Sequence, residues 1–147
     1  MQIIQAGAEH VPQLAPLFDA YRQFYRQPSD LAGAAAFLQQ RIERGESLVF
    51  LSLAGAQAVG FTQLYPCFSS TSMKRLWILN DLFVVPAARR QGVAQALMER
   101  ARQLGLQSSA EGLMLETAVD NLAAQRLYER LGWKRDEEFH RYSLRVA

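Results

Sequence analysis

Apolar residues at Val11, Leu14, Phe18, Tyr21 and Tyr25 recur at spacings of three and four, which predicts one buried face of a helix. Residues 1–5 before it read as a short strand. Pro12 suits the first turn of that helix, whereas Pro16 would bend it or move its start later. Ser29 and Asp30 are placed to cap a second helix that runs through Arg44 and ends at Gly45. The pattern then changes to extended runs at 47–53 and 58–65, with Ala54, Gly55 and Ala56 between them as a hairpin turn. A polar loop is expected at 66–74. The next strand, 75–85, is apolar after Trp77 except for Asn80 and Asp81, and Pro86 stops it. Val93, Leu97, Ala101 and Leu104 mark a helix over 91–104, ended by Gly105. After a strand at 112–117, Asp120 or Asn121 caps a helix carrying Ala124, Leu127, Tyr128 and Leu131 on one face. Gly132 closes that helix, and 133–146 supplies two final strands.

The order is β-α-α-β-β-β-α-β-α-β-β, an α+β protein built on a mixed α/β sheet. The piece 75–117 should form a right-handed parallel crossover. No repeat or linker divides the chain, so residues 1–147 are expected to be one domain. Of the 16 cationic side chains 14 are Arg, spread along the sequence, and the net charge of +2 suits a small anionic ligand better than a nucleic acid. The start MQIIQAGAEH is unlike a signal peptide, and no apolar run approaches the roughly 20 residues of a membrane span, so a cytoplasmic location is expected. Cys67, His10 and His140 are too few soft ligands for a zinc site, and no metal is expected.

The stretch 79–97, LNDLFVVPAARRQGVAQAL, carries the chemistry. A buried strand runs into a short loop that opens a helix near Gln91, where unpaired N–H groups and the positive end of the helix dipole face outward. Such a turn suits a phosphate, and Gly92 lets a ligand approach the backbone while Arg89 and Arg90 add charge. A solvated basic loop before an ordinary amphipathic helix accounts for the same residues equally well. Two other phosphate motifs fail: no Lys stands near the loop for a Walker sequence, and Gly92 alone cannot supply the three spaced glycines of a dinucleotide fingerprint.

Arg89-Arg90-Gln91-Gly92-Val93-Ala94 resembles the Arg/Gln-x-x-Gly-x-Gly/Ala signature of the GNAT superfamily of N-acetyltransferases. The preceding strand, the following helix, and the Asp120-Asn121 to Gly132-Trp133 segment are similar to that family's second half in order and spacing. The N-terminal helices extend the resemblance to the whole chain. It implies acetyl-CoA as donor, with its pyrophosphate on the backbone from Arg89 to Ala94 and its pantetheine arm along Phe83, Val84 and Val85. Asn121 would contact the arm from the other side.

The resemblance also implies direct attack of a primary amine in a ternary complex, with Tyr128 as general acid. As a residue type in this pattern, Tyr128 is otherwise a core aromatic beside Leu127. Asp81, a carboxylate inside an apolar strand, is a candidate base or a structural group; alternation sets it on one face with Phe83 and Val85, and Asn80 on the other. Relatives in the polyamine-acetylating branch often carry a glutamate where Asn80 stands. Glu116 is the second candidate base, and ordered water could replace both. For the acceptor, Tyr21, Tyr25 and the 66–72 loop lie where this family builds its pocket, and a small amine (a diamine, polyamine or amino acid) is expected. The alternatives are a protein lysine or N-terminal acetyltransferase and a non-catalytic acyl-CoA-binding module. Tyr142 and Leu144 on the last strands could pair across a two-fold axis in a homodimer.

Overall fold

The computed structural model describes all 147 residues, in two compact units, Met1–Glu116 and Thr117–Ala147. The first unit contains a five-stranded sheet in the order β1-β2-β3-β4-β5: β1 (Gln2–Gln5), β2 (Leu48–Ala54), β3 (Gln57–Ser69), β4 (Lys74–Val84) and β5 (Gly112–Met114). The first four strands are antiparallel neighbours, and β5 runs parallel to β4. Three helices accompany them: α1 (Val11–Phe24), α2 (Leu31–Glu43) and α3 (Val93–Gln107). The mixed α/β sheet expected from the sequence is therefore present.

Helices cover both faces of the sheet, and the sequence of β2 reflects it. Val49, Phe50 and Leu51 are all fully buried, a continuous apolar run where a half-exposed strand would alternate. Val49 and Leu51 join a core with Leu14 and Phe18 of α1, Leu38 of α2, Phe61 and Phe83. Beneath α3, β3 passes at Gly60, where an added Cβ would meet Val93 Cγ1 at 3.0 Å and the Phe83 carbonyl at 3.1 Å. Any larger residue there would push helix from sheet.

Local chemistry sets the helix ends. Pro12 sits in the first turn of α1, and Pro16 is accommodated inside it. Arg26 takes a left-handed φ of 65° just past α1, and Asp30 caps α2 by accepting the Gly33 N–H at 2.9 Å. Asp19 of α1, itself buried, ties this connection together: it accepts the Asp30 N–H at 2.8 Å, the Ser29 hydroxyl at 2.7 Å and the Gln23 amide at 3.2 Å. The Asp30 amide and then the Ser29 hydroxyl hold its carboxyl below the ordinary value of 3.8.

Several boundaries differ from those expected, among them that of β5, which ends at Met114 and not at residue 117. Residues 66–69 belong to β3 and are not loop. Beyond Leu64, which opposes Leu48, β3 has no neighbour on its β2 side, so Pro66 removes no ladder bond and the strand continues opposite β4. Gly105 does not end α3. It lies buried within the helix, where a Cβ would come within 2.8 Å of Leu113 Cδ1, so its small size serves close packing on β5. The two final strands are not formed. Tyr142, Leu144 and Val146 alternate with Arg141, Ser143 and Arg145, yet all three apolar side chains are exposed and the sheet ladder does not include them. Alternation makes a segment competent for pairing; only a partner makes it a strand. In the second unit, α4 (Leu122–Arg130) is capped by Asn121, whose Oδ1 accepts the Ala124 N–H at 3.2 Å.

Because the native state holds Asp19 ionised more readily than the unfolded chain does, its stabilisation is full above pH 3.8 and is lost as pH falls through its lowered value. Asp19→Asn should therefore melt at a lower temperature than the native chain at pH 7, and thermal melts should show the gap closing as pH drops below 3.8.

Candidate active site

Two features of β4 define the site. The first is the end of its pairing with β5. Only Leu76, Trp77 and Ile78 are matched, by Gly112, Leu113 and Met114. From Leu79 to Val84 the β5-side edge of β4 is open, while the opposite edge remains paired to β3 as far as Gly60. An open strand edge offers backbone donors and acceptors to an extended ligand. Phe83 and Val84 are buried and Val85 half-buried, so this segment presents its backbone and keeps its side chains packed.

The open edge leads into the turn before α3. Pro86–Ala88 makes one 3₁₀ turn, Arg90 adopts a φ of 63° and Gly92 a φ of 81° as the helix N-cap. No side chain caps α3, so the N–H groups of its first turn are left for a ligand. An added Cβ at Gly92 would meet nothing within 4 Å, and the left-handed φ is what calls for glycine there. Arg89 folds back, donating from Nε to the Val84 carbonyl at 2.9 Å with its guanidinium 5.8 Å from the Phe83 ring centre, and so braces the turn. Arg90 and Gln91 are exposed beside it. This helix start begins at Val93, two residues later than expected, and suits an anionic phosphate.

The second feature is a bulge. The register of β3 and β4 shifts between Gln63, opposite Asp81, and Leu64, opposite Leu79, leaving Asn80 as an extra residue. Strict alternation would separate Asn80 from Asp81; the bulge instead brings both to one cavity of about 380 Å³. That cavity is walled by Phe18, Tyr21, Phe37 and Tyr65, with Arg22 and Asp30 among its other lining residues.

Asp81 is 2% exposed. It accepts the Gln63 amide at 2.6 Å and the Asn80 amide at 2.8 Å, and the Tyr21 hydroxyl, which donates to the Asn80 carbonyl at 3.2 Å, also favours its charge. Burial nevertheless outweighs these bonds and holds the Asp81 carboxyl above the ordinary value of 3.8. The same burial, followed by the nearby Asp81 charge, pushes the Tyr65 phenol up to about 12 and raises Tyr21 well above its usual range. Both phenols therefore stay protonated as donors at neutral pH, and Asp81 is the group in the cavity suited to take a proton.

The other expected residues of the first unit do not line this cavity. Tyr25, at the end of α1, is 52% exposed and packs edge-on against Tyr21 at 5.0 Å without lining the cavity. The 66–72 segment is outside the lining, since its first residues extend β3. Glu116 lies two residues past β5, exposed and also outside the lining. In the second unit, Tyr128 lies 6.4 Å from Trp133, ring centre to ring centre, and its carbonyl accepts the Trp133 N–H at 2.9 Å. Phe37 and Tyr65 carry no sequence signal for the cavity, and Phe18 is marked only as part of the apolar face of α1. No group of three or more His, Cys, Asp or Glu side chains comes together to hold a metal ion, and no helix is long and apolar enough to cross a membrane.

Known proteins resemble this chain over most of its length. Residues 14–133 match the acetyltransferase (GNAT) family. The chain is 48% identical over 146 residues to an uncharacterised N-acetyltransferase of Bacillus subtilis, covering 99% of this chain and 98% of that protein. It superposes on the crystal structure of a probable acetyltransferase with a TM-score of 0.95 at 45% identity, over 100% of this chain and 99% of the other. An aminoglycoside N-acetyltransferase solved in complex with CoA shares the fold, with a TM-score of 0.79 at 22% identity over 99% of this chain and 95% of that one.

A carboxyl whose folded-state pKa is raised favours the native state most when protonated, so the contribution present below pH 3.8 is lost as pH rises through the raised value. Asp81→Asn should thus raise the melting temperature at pH 8, with little gain at pH 3.5. Gln63 can accommodate the new amide, since its Oε1 lacks a partner and a flip would turn it toward the Asn N–H. An equal or lower melting temperature at pH 8 would contradict this assignment.

Proposed function

Because the chain belongs to the GNAT acetyltransferase family, we propose that it transfers the acetyl group of acetyl-CoA to the primary amine of a small molecule bound in the Asp81 cavity. One observation carries the reading: the open edge of β4 joins an uncapped, glycine-led helix start at one end and a carboxylate-bearing aromatic cavity at the other. The reading treats residues 1–147 as one catalytic domain.

When bound, acetyl-CoA supplies an activated acyl thioester. The first-turn amides of α3, with Arg90 and Gln91 beside them, fit its anionic pyrophosphate. The edge formed by Phe83, Val84 and Val85 fits the amide-bearing arm in the manner of an added strand. An N–H on that edge can stabilise a developing oxyanion. The aromatic walls of the cavity suit a cationic amine, and Asp81 first pairs with its ammonium. A carboxylate above its ordinary pKa is a better proton acceptor, and Asp81 takes the proton that the ammonium must lose before its nitrogen can attack. The family resemblance gives protonation of the departing thiolate to Tyr128 and a contact with the arm to Asn121. Glu116, outside the cavity lining, is the weaker candidate for a base.

A cavity of about 380 Å³ favours a small acceptor over a protein chain, which would call for an open groove. The exposed alternation of Tyr142, Leu144 and Val146 supports pairing with a second copy of the chain.

Release of CoA with a panel of amines tests the chemistry. Asp81→Asn and Tyr128→Phe should each lower kcat by about 100-fold or more, with acetyl-CoA affinity held within a few-fold. Turnover confined to a lysine peptide would move the acceptor to proteins, and tight acetyl-CoA binding without turnover would indicate a binding module. Sedimentation should give a dimer, and a monomer at micromolar concentration would dispose of the pairing.

A further inference from the structure

The charges lining the cavity are unequal in depth and mixed in sign. Asp81 is buried, Arg22 is half-buried, and Asp30 is exposed. Arg22 and Asp30 form no ion pair with one another. Arg22 donates from Nη1 to the Pro28 carbonyl at 3.2 Å, which leaves most of its five N–H donors for a ligand. Asp30 accepts the Gly33 N–H through Oδ1 alone, which leaves Oδ2 available. The nearby Arg41, by contrast, is paired to Glu46 at 2.9 Å. Gly33 and Ala34, in the first turn of α2, line the same cavity, and the positive end of that helix adds to the attraction for a carboxylate.

We infer that the cavity takes a diamino monocarboxylic acid, with its side-chain ammonium at Asp81, its carboxylate at Arg22 and its other ammonium at Asp30. This assignment rests on the reading of the cavity as the acceptor site of an acetyltransferase. A simple diamine would leave Arg22 facing a cation. A monoamino acid would leave either Asp81 or Asp30 without a partner. Only a ligand with two positive groups and one negative group answers all three side chains, and Phe18, Phe37, Tyr21 and Tyr65 provide apolar walls for the methylenes between them. The step itself balances simply. The side-chain ammonium would give one proton to Asp81, its nitrogen would bond to the thioester carbonyl carbon, and the carbon–sulfur bond would break with the electron pair leaving on sulfur. Tyr128 would protonate that thiolate and be reprotonated by the second proton the nitrogen sheds. A neutral amide and the CoA thiol would then leave, and Asp81 would return its proton to water. The product amide is neutral and no longer pairs with Asp81, which favours its release.

Three probes separate these contacts: free L-lysine, its decarboxylated form cadaverine, and its deaminated form aminohexanoate. Lysine should exceed each of the others by about tenfold or more in kcat/KM, as expected for losing one hydrogen bond to a charged group. Arg22→Gln should collapse the ratio of lysine to cadaverine toward one. Asp30→Asn should collapse the ratio of lysine to aminohexanoate, and Asn keeps the cap of α2 so that the helix start is preserved. Equal use of the three probes by the native chain, or either ratio surviving its variant, would overturn the assignment. Turnover confined to other amines would overturn it while leaving acetyl transfer intact. Calorimetry of the same probes separates the two readings from the other side. Selective lysine binding without turnover on any amine would support the ligand assignment and overturn acetyl transfer.

Discussion

Strand β4 is held along nearly its whole length on one side and for three residues on the other, and that asymmetry governs the site. Its ladder with β3 fixes the direction and register of the strand. Its ladder with β5 ends at Ile78. Had β5 continued, the backbone from Leu79 to Val84 would be consumed in sheet hydrogen bonds and no ligand could lie along it. The core depends on the same strand, because Phe83 turns its ring toward Phe61 and Tyr21 while the strand edge away from β3 stays unpaired beyond Ile78.

The bulge at Asn80 complements this. It costs one regular ladder step, and in exchange it brings two consecutive polar side chains to one cavity. Asp81 is then held in a place that disfavours its charge, even with Gln63 and Asn80 donating to it. A carboxylate so placed is poor for stability and well suited to accepting a proton, the usual direction of compromise at a working site. Asp19 provides the contrast within the same unit. It too is buried, but backbone and hydroxyl donors outweigh burial and lower its pKa, and its role is to hold the connection that positions Asp30.

Much of this was legible in the chain. The three-and-four spacing of α1, the Asp30 cap, the turn after β4, and the isolated polar pair Asn80 and Asp81 in an apolar strand all carried their local physics in the residue types themselves. Tyr21, expected at the acceptor pocket from the family resemblance, lines the cavity. Tyr65 and Phe37 were not found, because an aromatic on an apolar face looks the same whether it meets another side chain or an empty volume. Pro66 and Gly105 misled for a related reason. Each is a breaker in isolation, and each was tolerated because of what lies, or does not lie, beside it in the fold: Pro66 has no β2 neighbour to lose, and Gly105 has Leu113 against it.

The sequence by itself determined the periodicities, the caps, the chemistry of the candidate groups and the family resemblance, since these depend on residues within a few positions of one another. Tertiary structure decided where β5 stops, which residue of β4 bulges, which aromatic rings enclose the cavity, and whether the alternating tail forms strands. Each of these is a question of which distant segment supplies a partner. Ladder bonds, enclosure and the loss of water around a carboxylate arise between segments, so no local pattern could specify them.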